Sequence, residues 1–496
     1  MRTQQDRDRA TVRSISLGTV WRALRYPFLL GAMVCIPRIM TAPVYGRFAV
    51  FLSVYMLCES FTGLGNVQVF GRFLPVYADD DEDGRRRLLH SMLFYGVLVT
   101  LAVVFVAAAG LTWRRPVSFN PFWTIALALV LLLGKVQGTL FAYLYGSNQI
   151  GRFSSRDLIR SFSRFVVVLS LFLAFGLYGA IWAFVINEAI LVVISAWWTR
   201  KVLFARVRLL PWPAIRPYIL FGLAFYVPTV LVGMLQRSGG LLIDAYTGLA
   251  EEIGYFDLAN QFLLLTVSFL GILLATLLPS LTQFQIEGEH ERAETWMRHA
   301  VVFCTAMAVV ALYLLGFLGP HVIPIVGESF NVGRVYGNAL LLGMAAFPLL
   351  LVHVGSNWAV LQRDARGYIT ISAVSAVLMI ALSHFWIPRY ASFGASAASL
   401  VAYIVFAALF CFRYWSPMRT MLISLLRVFA CGIFPVTARY FTHSVGASIV
   451  GFLLALASFV VLLLLTRTVC ISDLKQYLAS LRHAKDSAPI EPPAAR

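Results

Sequence analysis

Apolar residues run in stretches of about 20 or more between short polar breaks, the length a helix needs to cross the hydrocarbon core of a bilayer. Such runs lie at about 14–40, 44–68, 87–110, 119–143, 159–177 and 178–198, then at about 214–236, 252–280, 297–319, 333–361, 367–387 and 390–413. Two more, at about 421–439 and 444–466, complete the set. The pattern predicts an all-α polytopic membrane protein with about 14 transmembrane helices. After Arg467 it changes: Leu474, Tyr477, Leu478 and Leu481 form one apolar stripe beside Lys475, Arg482 and Lys485. That is the pattern of a short amphipathic helix lying on a membrane surface, and the proline-rich end, Ala488 to Arg496, is expected to be disordered.

The polar breaks are asymmetric. With the N-terminus placed on the cytoplasmic side, 29 of the 40 Lys and Arg residues fall in cytoplasmic segments or helix ends, eight fall on the other side, and Arg22, Arg25 and Lys135 fall within spans. Lys and Arg concentrate in cytoplasmic loops, so both termini are expected in the cytoplasm, which fits an even number of helices. Arg156, Arg160 and Arg164 belong to the cytoplasmic count on this reading. The breaks also repeat. Ala42 with Gly46-Arg47-Phe48 matches Ala250 with Gly254-Tyr255-Phe256, Gly151-Arg152-Phe153 matches Gly367-Tyr368-Ile369, and Tyr178-Gly179-Ala180 matches Phe393-Gly394-Ala395, at offsets of 208, 216 and 215. Six helices separate the copies, so both units share one orientation and are related by an axis along the membrane normal. The expected organisation is an N-lobe at 1–213 (helices 1–6), a C-lobe at 214–416 (helices 7–12), two extra helices at 417–467, and a cytoplasmic helix and tail at 468–496.

Charges inside apolar spans are costly unless they meet protein, water or an anionic ligand. Arg22 and Arg25 share one face of the first span with Gly18, Leu29 and Ala32, following the i, i+3/i+4 rhythm of a helix face. Trp21, Leu24 and Phe28 form a bulkier face, and Pro27 can kink the helix beyond the charges. Arg22 can alternatively snorkel to the interface. Lys135 lies mid-span in Gly134-Lys135-Val136-Gln137-Gly138, either on a cavity or in a structural ion pair. The matching segment of the second unit, His353-Val354-Gly355-Ser356-Asn357, is neutral. Glu59 and Glu188, with Asn187 beside the latter, serve either as counter-charges or as coupling carboxylates whose burial raises their affinity for a proton. Asp257 joins them as a possible coupling or counter-charge residue, next to Asn260 and Gln261. Arg237 and Asp244 suggest a salt bridge at the outer rim.

Composition narrows the field. At 60% apolar and 13% charged residues, with mean hydropathy +0.80, the chain lies far outside the range of soluble domains. Its formal charge of +17 does not indicate nucleic acid, because the arginines punctuate apolar spans instead of lining a soluble face. The six cysteines (Cys35, Cys58, Cys304, Cys411, Cys431, Cys470) show no metal or disulfide spacing. No cofactor, metal or catalytic group is expected, no phosphate-binding loop is present, and Met1 to Arg13 does not read as a removable signal peptide.

Ala42-Pro43-Val44-Tyr45-Gly46-Arg47-Phe48 resembles the turn between the first two helices of bacterial polysaccharide repeat-unit flippases (Wzx-like) of the multidrug/oligosaccharidyl-lipid/polysaccharide (MOP) exporter superfamily. Arg72-Phe73-Leu74-Pro75-Val76-Tyr77, Ile253-Gly254-Tyr255-Phe256 with Ala259, Leu278-Pro279-Ser280-Leu281 and Ile387-Pro388-Arg389-Tyr390 with Gly394-Ala395 are similar to its later landmarks. The resemblance covers roughly residues 14–413. Asp257 departs from it, standing where a small or polar residue belongs, and the last two helices are not universal in the group. The resemblance implies two six-helix lobes around a central cavity that alternates between membrane faces.

The expected function is therefore a flippase in the bacterial inner membrane. It would move undecaprenyl-diphosphate-linked oligosaccharide from the cytoplasmic to the outer leaflet, for O-antigen, exopolysaccharide or capsule synthesis. Arg22, Arg25 and Lys135 would bind the diphosphate. Membrane lipid, a coupling ion (proton or sodium) and a polysaccharide polymerase or co-polymerase are the expected partners. Two rivals remain: a drug/cation antiporter of the same superfamily, for which the first helix lacks the acidic residues suited to cationic cargo, and a membrane polymerase or ligase, for which the loops near 111–118, 237–251 and 320–332 are short.

Overall fold

The computed structural model describes residues 24–74, 82–114, 122–147, 149–286, 290–362, 364–436 and 444–466. Arg22 and the amphipathic segment after Arg467 lie outside them. The described chain is helical: α1 (Tyr26–Ile39), α2 (Ala42–Thr62), α3 (Asn66–Phe73), α4 (Glu82–Arg114), α5 (Trp123–Gly146), α6 (Ile150–Leu203), α7 (Trp212–Thr247), α8 (Ala250–Ile286) and α9 (His290–Tyr313). A π-helical turn, Leu314–Leu318, joins α9 to α10 (Gly319–Val326). Then come α11 (Val332–Leu361), α12 (Ala365–Tyr390), α13 (Ser392–Arg413), α14 (Trp415–Val436) and α15 (Val445–Leu465).

Among the described residues ten helices are long and apolar enough to cross a membrane, and α7 qualifies as two segments bent by 43° around Ala224–Tyr226. The apolar α1, 14 residues long, and the 37-residue α8 lie on the first and eighth predicted spans. Helix α6 counts twice. It has 54 residues, roughly 80 Å at 1.5 Å per residue, against a hydrocarbon core of about 30 Å. At Gly176 the backbone takes φ 61° and ψ −145°, a conformation open only to a residue without Cβ, and the chain doubles back. Ser163 bonds to Asn187 and Arg160 to Glu188 across this turn, so the two arms run antiparallel. The two expected spans, 159–177 and 178–198, are these arms, with the first beginning earlier, at Ile150.

Helices α1, α2, α4, α5 and α6 pack on one another, as do α7, α8, α9, α11, α12 and α13. Helices α14 and α15 lie against α9, α13 and the π-helical turn, outside the second group. The seam between the groups is α2, apolar nearly all round and buried along most of its length, as a helix enclosed by others must be. It packs on α7 and α8.

At the charge-poor end the repeated sequence meets itself. A Cβ on Gly46 would sit 1.7 Å from the Ala250 carbonyl oxygen, and one on Gly254 would sit 2.9 Å from that of Ala42. Each Ala-x-x-x-Gly stretch rests on its counterpart, the reciprocal contact a local two-fold axis generates, with small residues permitting close backbone approach. Around this crossing Ser329 Oγ accepts from the Ala42 amide at 2.9 Å, the Tyr45 hydroxyl donates to Asp257 at 2.9 Å, and the rings of Tyr45 and Tyr255 pack against Phe330.

At the arginine-rich end α2 stops earlier than the apolar run 44–68 suggests. Gly63 turns extended (φ −72°, ψ 136°) and ends the helix after Thr62, and Gly65, at φ 64°, leads into α3 at Asn66. The break is seated on α7: a Cβ on Gly65 would lie 2.4 Å from the Gly222 carbonyl oxygen, and one on Gly63 would overlap the Tyr226 ring.

Candidate functional site: an arginine ladder between two helices

Arg152, Arg156, Arg160 and Arg164 recur every four residues along the first arm of α6, so they stand on one face of the helix. Arg152, at the exposed start, bonds to Gln149 and stacks on Trp198. Arg156 lies over the Phe141 ring at 5.7 Å. Arg160 reaches Glu188 at 3.0 Å and Glu59 at 3.9 Å. Arg164 reaches the other oxygen of Glu188 at 3.6 Å and lies 4.5 Å over Phe184. From α1, Arg25 approaches Asp157 at 3.5 Å and lies over Tyr26. Contacts of Phe28 with Phe162 and of Gly31 with Phe165 hold α1 alongside this arm.

The two acids in contact with Arg160 differ in kind. Glu188 is fully buried, a fixed counter-charge between two arginines, whereas Glu59 is 38% exposed and Arg25, Arg160 and Arg164 are each 20–23% exposed. Four guanidinium groups (Arg25, Arg156, Arg160, Arg164) thus face three carboxylates (Asp157, Glu59, Glu188) at a half-open position. Guanidinium forks match phosphate oxygens in geometry and stay charged when desolvated. Asn187 is buried and its Oδ1 accepts from Ser163, so it fastens the two arms of α6 together.

Lys135 stands apart from this cluster. Positions on α5 corresponding to Cβ atoms of Gly134 and Gly138 lie 3.8 Å from Glu188 and 4.0 Å from Arg156, so the glycines face the arginines. Lys135, one residue round the helix, points the other way: it is 5% exposed, and its Nζ donates to the Thr62 carbonyl at 3.0 Å and approaches Asn66 Oδ1 at 3.5 Å. The polar notch serves two faces, and the expected grouping of Lys135 with Arg25 is replaced by a grouping of Arg25 with Arg156, Arg160 and Arg164. Sequence counting had assigned those arginines to a cytoplasmic end. Their four-residue spacing, carried into an apolar run, is the signal that separates them from loop charges.

Asp257 is buried at the seam, where it accepts from Tyr45 at 2.9 Å and from Gln261 at 3.4 Å. Arg237 has Asp257 as its leading electrostatic partner. Asn260 donates to the Gln236 carbonyl. A cleft of about 530 Å³ opens beside this end, lined by Arg38, Thr41, Pro324, Glu328 and Ser329 among others. Among the described residues no group of three or more His, Cys, Asp or Glu side chains stands together to hold a metal ion.

Comparison with solved structures places this architecture. A lipid II flippase MurJ in an inward closed conformation superposes with TM-score 0.68 at 14% identity, over 91% of this chain and 98% of that one. An inward-facing multidrug resistance MATE family transporter of the MOP superfamily gives 0.61 at 13% identity, over 88% and 100%. A point mutant of the Vibrio cholerae MATE transporter VcmN gives 0.50 at 12%, over 83% and 98%. At these identities the likeness is one of fold. No curated protein sequence matches the chain. The profile of the family described as "Polysaccharide biosynthesis protein" matches residues 12–285, more than half of the chain. The protein belongs to the polysaccharide biosynthesis protein family and carries the helical fold of the MOP-superfamily membrane transporters.

Proposed function

We propose that the protein flips a polyprenyl-diphosphate-linked oligosaccharide, of the undecaprenyl type, from the cytoplasmic to the outer leaflet of a bacterial inner membrane by alternating access of its two lobes. The observation that carries this reading is the arginine ladder of α6 facing Arg25. A glycolipid with a diphosphate needs a cationic, hydrated path for its head while its tail stays in lipid. Arg25, Arg160 and Arg164 are the diphosphate ligands, with Arg156 four residues before Arg160 on the same helix face and Arg22 three residues before Arg25 in the sequence. Asp157 and Glu59, the more exposed acids, hold the guanidinium groups when no substrate is bound. Both termini then lie in the cytoplasm, and the product is ready for a polymerase or co-polymerase on the far side.

Reconstitution tests this. Proteoliposomes loaded with a fluorescent polyprenyl-diphosphate oligosaccharide should show protein-dependent flipping. Arg25→Ala and Arg160→Ala should each reduce it about 10- to 100-fold, the loss of charge-assisted hydrogen bonds of about 1.5–3 kcal/mol. Arg25→Lys should restore it in part, since the fork geometry is lost. Full flipping by both alanine variants sinks the assignment.

Coupling to an ion, proton or sodium, is carried on this reading by Glu59, the more exposed acid beside Arg160, while Glu188 stays a fixed counter-charge between two arginines. Bound diphosphate would compete with Glu59 for Arg160, so substrate entry would free that carboxylate and release would restore the pair. Glu59→Gln should then bind substrate yet lose the ion dependence of transport; an unchanged rate and pH profile would place the coupling elsewhere. A drug/cation antiporter is the second reading, favoured by the half-exposed carboxylates Glu59 and Asp157. It requires export of a lipophilic cation by the same proteoliposomes, with no glycolipid movement.

A further inference from the structure

We propose that Lys135 is the latch of a gate at the arginine-rich end, holding the break between α2 and α3 shut against α7. The proposal stands whatever anion the arginine ladder takes.

The last carbonyls of a helix have no partner within it and carry the negative end of its dipole. Thr62 ends α2, and its carbonyl receives the Lys135 ammonium at 3.0 Å. The same Nζ lies 3.5 Å from Oδ1 of Asn66, the first residue of α3. Asn66 in turn donates to the Thr139 hydroxyl at 2.7 Å, and that hydroxyl donates to the Lys135 carbonyl at 2.9 Å. One buried ammonium on α5 therefore ties the end of one helix to the start of the next. Among the described residues no carboxylate lies within ion-pair distance of Lys135, so packing alone would favour an apolar side chain there. The charge is used on helix-end carbonyl and amide oxygens.

The break meets a second one. Gly65 sits on the Gly222 backbone, Gly63 on the Tyr226 ring, and α7 bends by 43° between Ala224 and Tyr226. Each seam helix is interrupted where the other presses on it, and Phe73 of α3 packs edge-on to Tyr218 and Phe221 of α7. Glu59, beside Arg160, lies one turn before Thr62, whose hydroxyl donates to the Glu59 carbonyl at 2.8 Å. Releasing the ammonium leaves Thr62 and Asn66 without it and lets α3 swing from α7, opening a way to Arg160 from the arginine-rich side. Gly96 gives the lysine its slot: a Cβ there would lie 2.1 Å from Lys135 Cε.

The test uses the full chain in lipid nanodiscs with all native cysteines replaced. One spin-label pair, at Val67 on α3 and Leu220 on α7, reads the gate; a second, at Arg47 on α2 and Leu249 before α8, reads the charge-poor end. All four positions are exposed. Lys135→Met, which keeps the stem and removes the charge, should lengthen the Val67–Leu220 distance by about 5 Å or broaden it toward longer values, about one helical turn of movement. The Arg47–Leu249 distance should stay as in the parent, and farnesyl diphosphate should bind within about twofold of the parent affinity. An unchanged Val67–Leu220 distance overturns the latch, and so does lengthening of both pairs, which would mean general loosening of the bundle. Loss of farnesyl diphosphate binding with both distances unchanged also overturns it and makes Lys135 a ligand. Gly96→Ala gives a second handle, since it crowds the lysine without removing it, and should shift the first pair in the same direction.

Discussion

Glu188 is fully buried between Arg160 and Arg164, whereas Glu59 meets the same Arg160 from a position 38% exposed. Removing one member of a buried ion pair strands the other charge, a loss of about 3–5 kcal/mol; an exposed pair is worth at most about 1 kcal/mol. Glu188→Gln should therefore lower the thermal unfolding midpoint in detergent far more than Glu59→Gln does. Tryptophan fluorescence during a temperature ramp measures this, and equal shifts would contradict the assignment of Glu188 as a fixed counter-charge. The identity of these charged residues was legible in the chain, as was the rule that each needs a partner. Their pairing was not. Arg160 and Glu188 are 28 residues apart, and only the reversal at Gly176 brings them together.

At the scale of elements, helix ends carry the argument. The Ala42–Gly46 start of α2 and the Ala250–Gly254 start of α8 have no room for a side chain at Gly46, because the Ala250 carbonyl occupies the place of its Cβ. Gly46→Leu should force the two starts apart, a strain of about 1–3 kcal/mol. It should raise the labelling rate of a cysteine placed at the buried Tyr45 by a water-soluble maleimide; no increase would mean that the crossing tolerates bulk. On the other side of the bundle, Asp364 caps α12 by accepting the Gly367 amide at 2.9 Å, and also binds Arg413 and Tyr414. The Gly367 amide, followed by Arg413 and Tyr414, holds its carboxyl below the usual carboxylate range. A carboxylate so depressed stabilises the fold above its unfolded value, about 3.9, and that contribution disappears as pH falls through the folded value. The midpoint difference between the parent and Asp364→Asn should be constant from neutral to mildly acidic pH and shrink below about pH 4. A difference that grows on acidification would reverse the sign and refute the cap's charge dependence.

The whole molecule is two helical groups joined along α2, with a closed crossing at one end and paired breaks at the other. Alternating access requires the crossing to part in each cycle. Cysteines at Ala42 and Ser329, whose amide and hydroxyl are 2.9 Å apart, should form a disulfide on oxidation that arrests glycolipid flipping, and reductant should restore it. Undiminished flipping by fully cross-linked protein would show that this end need not open.

The sequence alone determined the all-helical membrane architecture, because bilayer thickness imposes a minimum length on apolar runs and unsatisfied backbone groups in lipid exclude open alternatives. It also determined the repeat, since Gly46 and Gly254 answer a steric demand that recurs in each lobe. Only the tertiary structure decided where the charges go. Lys135 shares a short polar notch with Gly134 and Gly138, yet a rotation of about 100° per residue sends it to a different neighbour. The arginines of α6 sit at a helix start that looks like a loop boundary until α1 and the second arm of α6 are packed beside it. Charge assignment in such a chain depends on which helices are adjacent, and adjacency between helices distant in sequence is set by packing that no single apolar run encodes.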